Sequence, residues 1–394
     1  MKPILLTSLF LVTAIFSSPA LPKFVESESA TGTSLAVVTD GSALAHTTQL
    51  LPLNKKGELA GDAVKQISQV LENVSLALRA ANCGLENVVK INVYATRDEI
   101  VPQVQKQLAK KFHGKTKPAV SFVVGTLPHP DALVAMDAVA TCGKNERSES
   151  RIHVSSLGGE PPFAHVSILP KGGIVYISGQ AKPGTLTEAT TKTLESLRDT
   201  LTFLGLKKSD VIQIKSFIQP MSEVEIARKQ IAEFFQGEKI PPLVFVDWIS
   251  PAVPIEIELI AAAPENRDAK ESVSYLTPPG FQPSNVYSKV ARVNFGKLIY
   301  ISGLYGSTPR DADKQLLEIF DSLKRVVTEA GSDFNALVKA TYYVSDAEAT
   351  ARLNEIRPKY YDPKRAPAAS KASVKSVGRD GQTITLDMIA VSEK

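Results

Sequence analysis

The chain has 394 residues, is 43% hydrophobic and carries a formal net charge of +4. So small an excess, with no stripe of Lys and Arg interleaved with aromatics, argues against a nucleic-acid-binding surface. There is no low-complexity tract, and the length suggests two or three domains at roughly 150 residues each.

The first residues have the layout of a targeting signal. Lys2 supplies a positive start, Ile4 to Phe16 is an apolar run, and Ser17-Ser18-Pro19-Ala20 closes it with small residues. The run is short of the ~20 apolar residues a membrane span needs. Cleavage after Ala20 gives a secreted or periplasmic protein with no membrane span. Leu21 to Thr33 is small and polar and is expected to be loose.

Two strand-like runs follow, Ser34 to Thr39 and Ala43 to Thr48. A helix from about Asp62 carries Val64, Ile67, Leu71, Val74 and Leu78 three and four apart, a single apolar stripe. Gly84 is its expected stop. Val88 to Tyr94 is a strand. Asp98 to His113 is a helix with Val101, Val104, Leu108 and Phe112 inward, and Lys117-Pro118 breaks it. Val120 to Leu127 and Leu133 to Thr141 are expected to form a closing hairpin across His129-Pro130-Asp131.

This order recurs twice. In the second pass Val166 to Leu169 and Ile174 to Ser178 precede a helix with Leu194, Leu197, Leu201 and Leu204. The strand Val211 to Ile218, the helix Glu223 to Phe235 and the strands Val244 to Ile249 and Ile255 to Ala261 complete it. In the third, Lys289 to Val293 and Leu298 to Ser302 lead to a helix with Leu316, Phe320, Leu323 and Val327. Leu337 to Val344, a helix from Ala347 to Tyr361, Ala372 to Val377 and Thr383 to Val391 follow. Lys144 to Ser150 and Glu265 to Ser272 are short charged linkers. The chain thus divides into a leader (1–20) and three α+β units (21–143, 151–264 and 273–394), because a period this long marks stacked repeats. Each unit reads β-α-β-α-β-β after its opening strands. The helices cover one face of each sheet, and packing sheet to sheet around a threefold axis covers the other.

Short motifs repeat at matched positions. Val175-Tyr176-Ile177-Ser178-Gly179-Gln180 is echoed by Ile299-Tyr300-Ile301-Ser302-Gly303 and, in worn form, by Thr47-Thr48. The middle strands read Val88-Val89-Lys90-Ile91, Val211-Ile212-Gln213-Ile214 and Leu337-Val338-Lys339-Ala340. Pro118, Pro241 and Pro367 lead the next strands. The last strands carry Asp137, Glu258 and Asp387 at one position. Taken in order over nearly the whole mature chain, these motifs resemble the RidA family, also called YjgF or endoribonuclease L-PSP-like.

The resemblance implies a chorismate-mutase-like fold, normally a homotrimer, with sites in the clefts between neighbours. Members hydrolyse imines and enamines derived from amino acids and release ammonia. An Arg after the Pro-Ala of the Pro-led strand holds the substrate carboxylate in a forked pair of bonds, and a Glu on the last strand helps activate water. Here the Arg position holds Val120, Leu243 and Ala369, and the Glu position holds Ala135, Glu256 and Thr385. The helix Asn of the cleft is Gln105, Arg228 and Asn354.

The candidates that remain are Glu256 as catalytic acid–base and Phe163, His165, Ser178, Gly179, Gln180, Arg228, Tyr287, Ser302, Gly303, Asn354 and Lys371 as cleft residues. Lys371 lies two places past the Arg position and so shares its strand face; Arg365 is a more distant substitute. The shared acids are expected to be buried and hydrogen-bonded to a helix or loop of their own unit, and Trp248 to fill a core or interface. No histidine spacing suggests a metal site, and no cofactor motif is present. The family layout also puts Cys83 and Cys142, the two cysteines of the chain, at one end of the sheet, where they form a disulfide.

With the Arg missing from all three units, the expectation is an exported, monomeric pseudo-trimer that binds small metabolites or acts as a scaffold. The alternative is a hydrolase of the 2-iminobutanoate/2-iminopropanoate deaminase type using Glu256 in one cleft. A ribonuclease role has no support from charge.

Overall fold

The computed structural model describes residues 21–143, 150–250 and 252–393; the expected leader and most of the first linker lie outside the described residues. The first repeat contains β1 (Lys23–Glu28), β2 (Thr33–Val38), β3 (Ala43–Thr47), α1 (Ala63–Ala80), β4 (Val88–Ala95), α2 (Ile100–Lys111), β5 (Ala119–Val124) and β6 (Val134–Cys142). The second contains β7 (Arg151–Ile152), β8 (Val166–Leu169), β9 (Gly173–Gln180), α3 (Leu186–Phe203), β10 (Val211–Ile218), α4 (Val224–Phe234), β11 (Leu243–Asp247) and β12 (Ile255–Ala263). The third contains β13 (Val273–Leu276), β14 (Val290–Val293), β15 (Lys297–Ile301), α5 (Ala312–Glu329), β16 (Leu337–Val344), α6 (Ala347–Ile356), β17 (Ala368–Ser373) and β18 (Ile384–Ser392).

The long helices form for local reasons. Asp62 caps α1 by accepting from the backbone N–H of Lys65, and Thr185 with Glu188 makes a reciprocal capping box on α3. Ile67, Val70, Leu71, Val74 and Leu78 are buried on α1 as a stripe. Val64 departs from the expectation and is exposed. The chain turns after α1 at Asn82, in the left-handed region (φ 60°), ahead of Gly84. The segment expected to be loose contains β1, held by its antiparallel pairing to β2 and by Val25, which is buried in the core of the third repeat.

The last two strands of a repeat are not a hairpin. β4 lies between β5 and β6, parallel to the first and antiparallel to the second; β10 and β16 do the same in their repeats. A helix crossover returns the chain parallel to the strand before it. The following loop then carries the chain across to that strand's other edge.

The second strand of each repeat completes a neighbour's sheet. β8 pairs with β3 of the first repeat, β14 with β9 of the second, and β2 with β15 of the third. β2 thus closes the chain onto its last repeat. The turn into β15 needs Gly296: its φ is 111°, and a Cβ there would lie 2.6 Å from Val391 Cγ1.

Each repeat has its own core between helices and sheet. On the opposite sheet faces two apolar clusters draw on all three repeats. One includes Val37, Leu44, Tyr176, Ala291 and Tyr300; the other includes Tyr94, Val123, Phe217, Val246 and Tyr343, with Trp248 half-buried against it. Cys83 and Cys142 form the disulfide, with Cα atoms 5.3 Å apart, inside the first core.

Candidate active site between the second and third repeats

A hydroxyl at the end of one repeat's third strand grips the backbone of a neighbouring repeat's Pro-led strand in each cleft. Ser302 Oγ accepts from Val120 N–H at 2.7 Å and donates to Ser34 O at 2.6 Å. Ser178 Oγ accepts from Ala369 N–H at 2.8 Å and donates to Ser288 O at 2.5 Å. In the first repeat the task moves one residue along, to Thr48, whose Oγ1 donates to Leu243 O at 2.8 Å and accepts from its N–H at 3.2 Å. The residues at the family's Arg position are therefore where the resemblance places them, each at a junction of two repeats.

The candidates fall into three separate clefts. Phe163, His165 and Arg228 gather on the second repeat's side of its junction with the first. Arg228 stacks on Phe163, 4.7 Å from guanidinium carbon to ring centroid, and pairs with Glu225 at 3.4 Å. His165 accepts from Val154 N–H at 2.9 Å, and burial, aided by His153 beside it, lowers its pKa to about 4. Gln49 fills this junction. Its side-chain amide donates to Phe245 O at 3.0 Å and accepts from Phe245 N–H at 3.2 Å. Ser302 and Gly303 stand at the third–first junction, where Thr385 Oγ1 is spent on Leu304 O at 2.9 Å.

Ser178, Gly179, Gln180, Glu256, Tyr287, Asn354 and Lys371 belong to the remaining junction. Glu256 lies against Gly179 so closely that a Cβ on that residue would be 2.0 Å from its Oε1. Burial, seconded by nearby Glu258, outweighs Ser370, Lys339 and Lys371 and raises the Glu256 carboxyl to about 7. The third repeat brings Lys371, half-buried on β17, close enough for its charge to act on Glu256. Its ammonium donates to Asn354 Oδ1 at 3.3 Å, and burial, then Arg357, lowers its pKa. Arg365 is half-buried and paired with Glu271 at 2.7 Å, away from Glu256.

A cavity of about 190 Å³ opens at the same junction, lined by Ser178, Gly179, Gln180, Tyr287 and Lys289 among others. Gln180 donates to Thr200 Oγ1 at 2.9 Å, while its buried Oε1 has no partner among the described residues. A larger cavity, about 450 Å³, lies where the turns before β3, β9 and β15 meet. Its rim mixes Lys171 and Lys297 with Asp40 and Glu393, and no candidate residue lines it.

The shared acids are buried, but their partners are strand residues and not a local helix or loop: Asp387 and Glu258 pair with lysines of other repeats, and Asp137 bonds within its own repeat. Lys90 pairs with Asp387 at 2.7 Å, and Lys339 with Glu258 at 2.5 Å. Asp137 accepts from Tyr94 Oη at 2.6 Å and Asn92 Nδ2 at 2.9 Å and lies in the field of Lys215. These groups and His46 line one small buried cavity of about 50 Å³. Neither ring nitrogen of His46 has a partner among the described residues, and burial lowers its pKa to about 4. Sequence reasoning missed this layer although Lys90 and Lys339 stand in a quoted motif. It also missed Gln49, Lys182 and Lys289. Among the described residues, no group of three or more His, Cys, Asp or Glu is placed to hold a metal, and no helix is long and apolar enough to cross a membrane.

Three tandem domains of one topology, with clefts at their junctions, define the class of this chain as a tandem-repeat α+β protein. The family model described as Endoribonuclease L-PSP matches residues 30–142, 158–263 and 279–392. The chain belongs to that family, also called RidA/YjgF, as three tandem repeats. Protein DfrA of Myxococcus xanthus is 30% identical over 113 residues, 27% of this chain and 85% of that protein. A RutC family protein of Aquifex aeolicus is 29% identical over 122 residues, 29% of this chain and 95% of that one. TdcF of Escherichia coli, named as a candidate reactive intermediate deaminase, is 23% identical over 116 residues, 28% of this chain and 89% of TdcF. Among solved structures, yeast Mmf1 is 25% identical, covering 31% of this chain and 99% of its own, with a TM-score of 0.25.

Proposed function

We propose that this protein is an exported hydrolase that releases ammonia from small imines or enamines derived from amino acids. It works in one cleft, between the second and third repeats, and the three repeats pack as a covalent pseudo-trimer. The observation that carries this reading is Glu256. Its carboxyl is raised to about 7, the range a general base needs near neutral pH, and cationic Lys371 reaches it from the next repeat. The naming of TdcF supports the reaction class. The disulfide fits an oxidising compartment and so supports export.

In this reading Lys371, steadied by Asn354, holds the substrate carboxylate in place of the absent Arg. A water loses a proton to Glu256 as its oxygen bonds to the imine carbon. The same proton passes to nitrogen, giving a carbinolamine. Its hydroxyl then gives its proton, by way of Glu256, to the nitrogen as the C–N bond breaks and the C=O bond forms, so ammonia leaves with a keto acid as the other product.

The test is ammonia release from enzymatically generated 2-iminopropanoate. The rate should rise with pH through a limb near 7, because Glu256 acts as a base only when ionised. Glu256→Gln should lower it by ~100-fold or more, and Lys371→Ala should raise KM by about tenfold. A second reading, ligand binding without turnover, draws on the apolar residues Val120, Leu243 and Ala369 at the Arg position. Binding of pyruvate with no ammonia release above buffer would establish it.

A further inference from the structure

We infer that the cleft between the second and third repeats prefers an imine carrying a second anionic group, of the kind derived from an acidic amino acid, and that Lys182 and Lys289 hold that group. This rests on the hydrolase reading above.

The two lysines come from different repeats to one cavity. Lys182 follows β9 in the second repeat, and Lys289 immediately precedes β14 in the third. Their ammonium groups lie 5.9 and 5.7 Å from the ring centroid of Phe281, which lines the same cavity. Lys289 also stands 4.3 Å from the Tyr287 ring centroid and donates to the Tyr287 hydroxyl. Neither lysine has a carboxylate partner within ion-pair distance among the described residues. Both lysines line the same cavity, and the ring contacts leave their positive charge without a counter-charge. An anion in the cavity would neutralise both.

This cation pair is distinct from Lys371. Lys371 bonds to Asn354 and does not line the cavity. Glu256 touches Gly179, and Gly179 is part of the cavity wall. Glu256 therefore has Lys371 among its charged neighbours, and the cavity lined by Lys182 and Lys289 meets it at Gly179. A substrate with one carboxylate engages a single set of cations. An imine with a carboxylate at each end engages both, with its reacting carbon near Glu256.

The experiment compares kcat/KM for ammonia release from 2-iminoglutarate and 2-iminopropanoate, generated in place from glutamate and alanine by amino-acid oxidases. Wild-type protein is set beside the Lys182→Ala/Lys289→Ala double variant, with folding checked by circular dichroism. Wild type should favour the dicarboxylic imine by about tenfold or more, the scale of a charged hydrogen bond, and the variant should lose that ratio. Equal rates for the two imines in wild type, or an unchanged ratio in the variant, overturn the inference. If neither imine is turned over, the hydrolase reading fails by itself. Calorimetric binding of 2-oxoglutarate against pyruvate then decides the subsite: tighter 2-oxoglutarate binding that the variant abolishes supports it, and equal binding overturns it.

Discussion

The junction of the first and second repeats and the junction of the second and third are built from corresponding strands, and two of their differences decide what each can hold. Thr48 stands in the first where Gly179 stands in the second, and Ala135 where Glu256 does. Thr48 bonds both backbone groups of Leu243, and Gln49 beside it bonds both of Phe245, so the protein consumes its own polar groups and closes the junction. Gly179 has no side chain, and the space it leaves is taken by the Glu256 carboxyl. The lesson is that a bare backbone at one strand end decides whether an acid can be stored there.

The comparison requires that the repeats be held in fixed relation, and the largest expected effect breaks that. Lys339→Met removes the cationic partner of the buried Glu258 carboxylate, leaving it the Ser370 hydroxyl, and should cost ~3–5 kcal/mol in urea denaturation. Lys339→Met with Glu258→Leu should recover most of it. An unchanged midpoint for the single variant would mean the buried layer does not join the repeats.

The same layer gives a pH dependence. His46 is buried with its pKa lowered from 6.5 to about 4, so between those values the unfolded chain binds a proton that the folded one refuses. Stability is full above pH 6.5 and falls as pH drops toward 4, by ~3 kcal/mol for this group. Denaturation midpoints at pH 7 and pH 4.5 measure it, and His46→Gln should flatten the difference.

Two smaller changes set the junctions against each other. Gly179→Ala drives a methyl group into Glu256 and should lower ammonia release by ~100-fold, the scale of a lost general base. Gln49→Ala should leave that rate unchanged and cost ~1–2 kcal/mol, since two hydrogen bonds at a half-buried junction are lost. If Gln49→Ala lowers the rate as far as Gly179→Ala does, the junctions are not different in kind.

Much of this was legible in the chain. The helix stripes at Ile67–Leu78 and Leu194–Leu201, the position of Glu256 and the pairing of Cys83 with Cys142 follow from periodicity and from the family resemblance. Periodicity reports which face a residue takes but not which strand lies alongside. Hence the exchange of β2, β8 and β14 between repeats, and the place of β4 between β5 and β6, emerged only in three dimensions. Lys90 and its partner Asp387 are far apart in sequence and in different repeats, so local pattern carried no sign of their pairing. Lys182 and Lys289 stand outside helix periodicity, and their convergence on Phe281 depends on how two repeats meet.

The central claim is that one junction of three binds substrate. A crystal structure of the protein soaked in pyruvate, the keto acid that 2-iminopropanoate would yield, tests it most directly. Pyruvate should occupy the junction of the second and third repeats alone, with its carboxylate toward Lys371 and its carbonyl carbon beside Glu256. Pyruvate bound against Gln49 or Gly303, or absent from the neighbourhood of Glu256, would contradict the account.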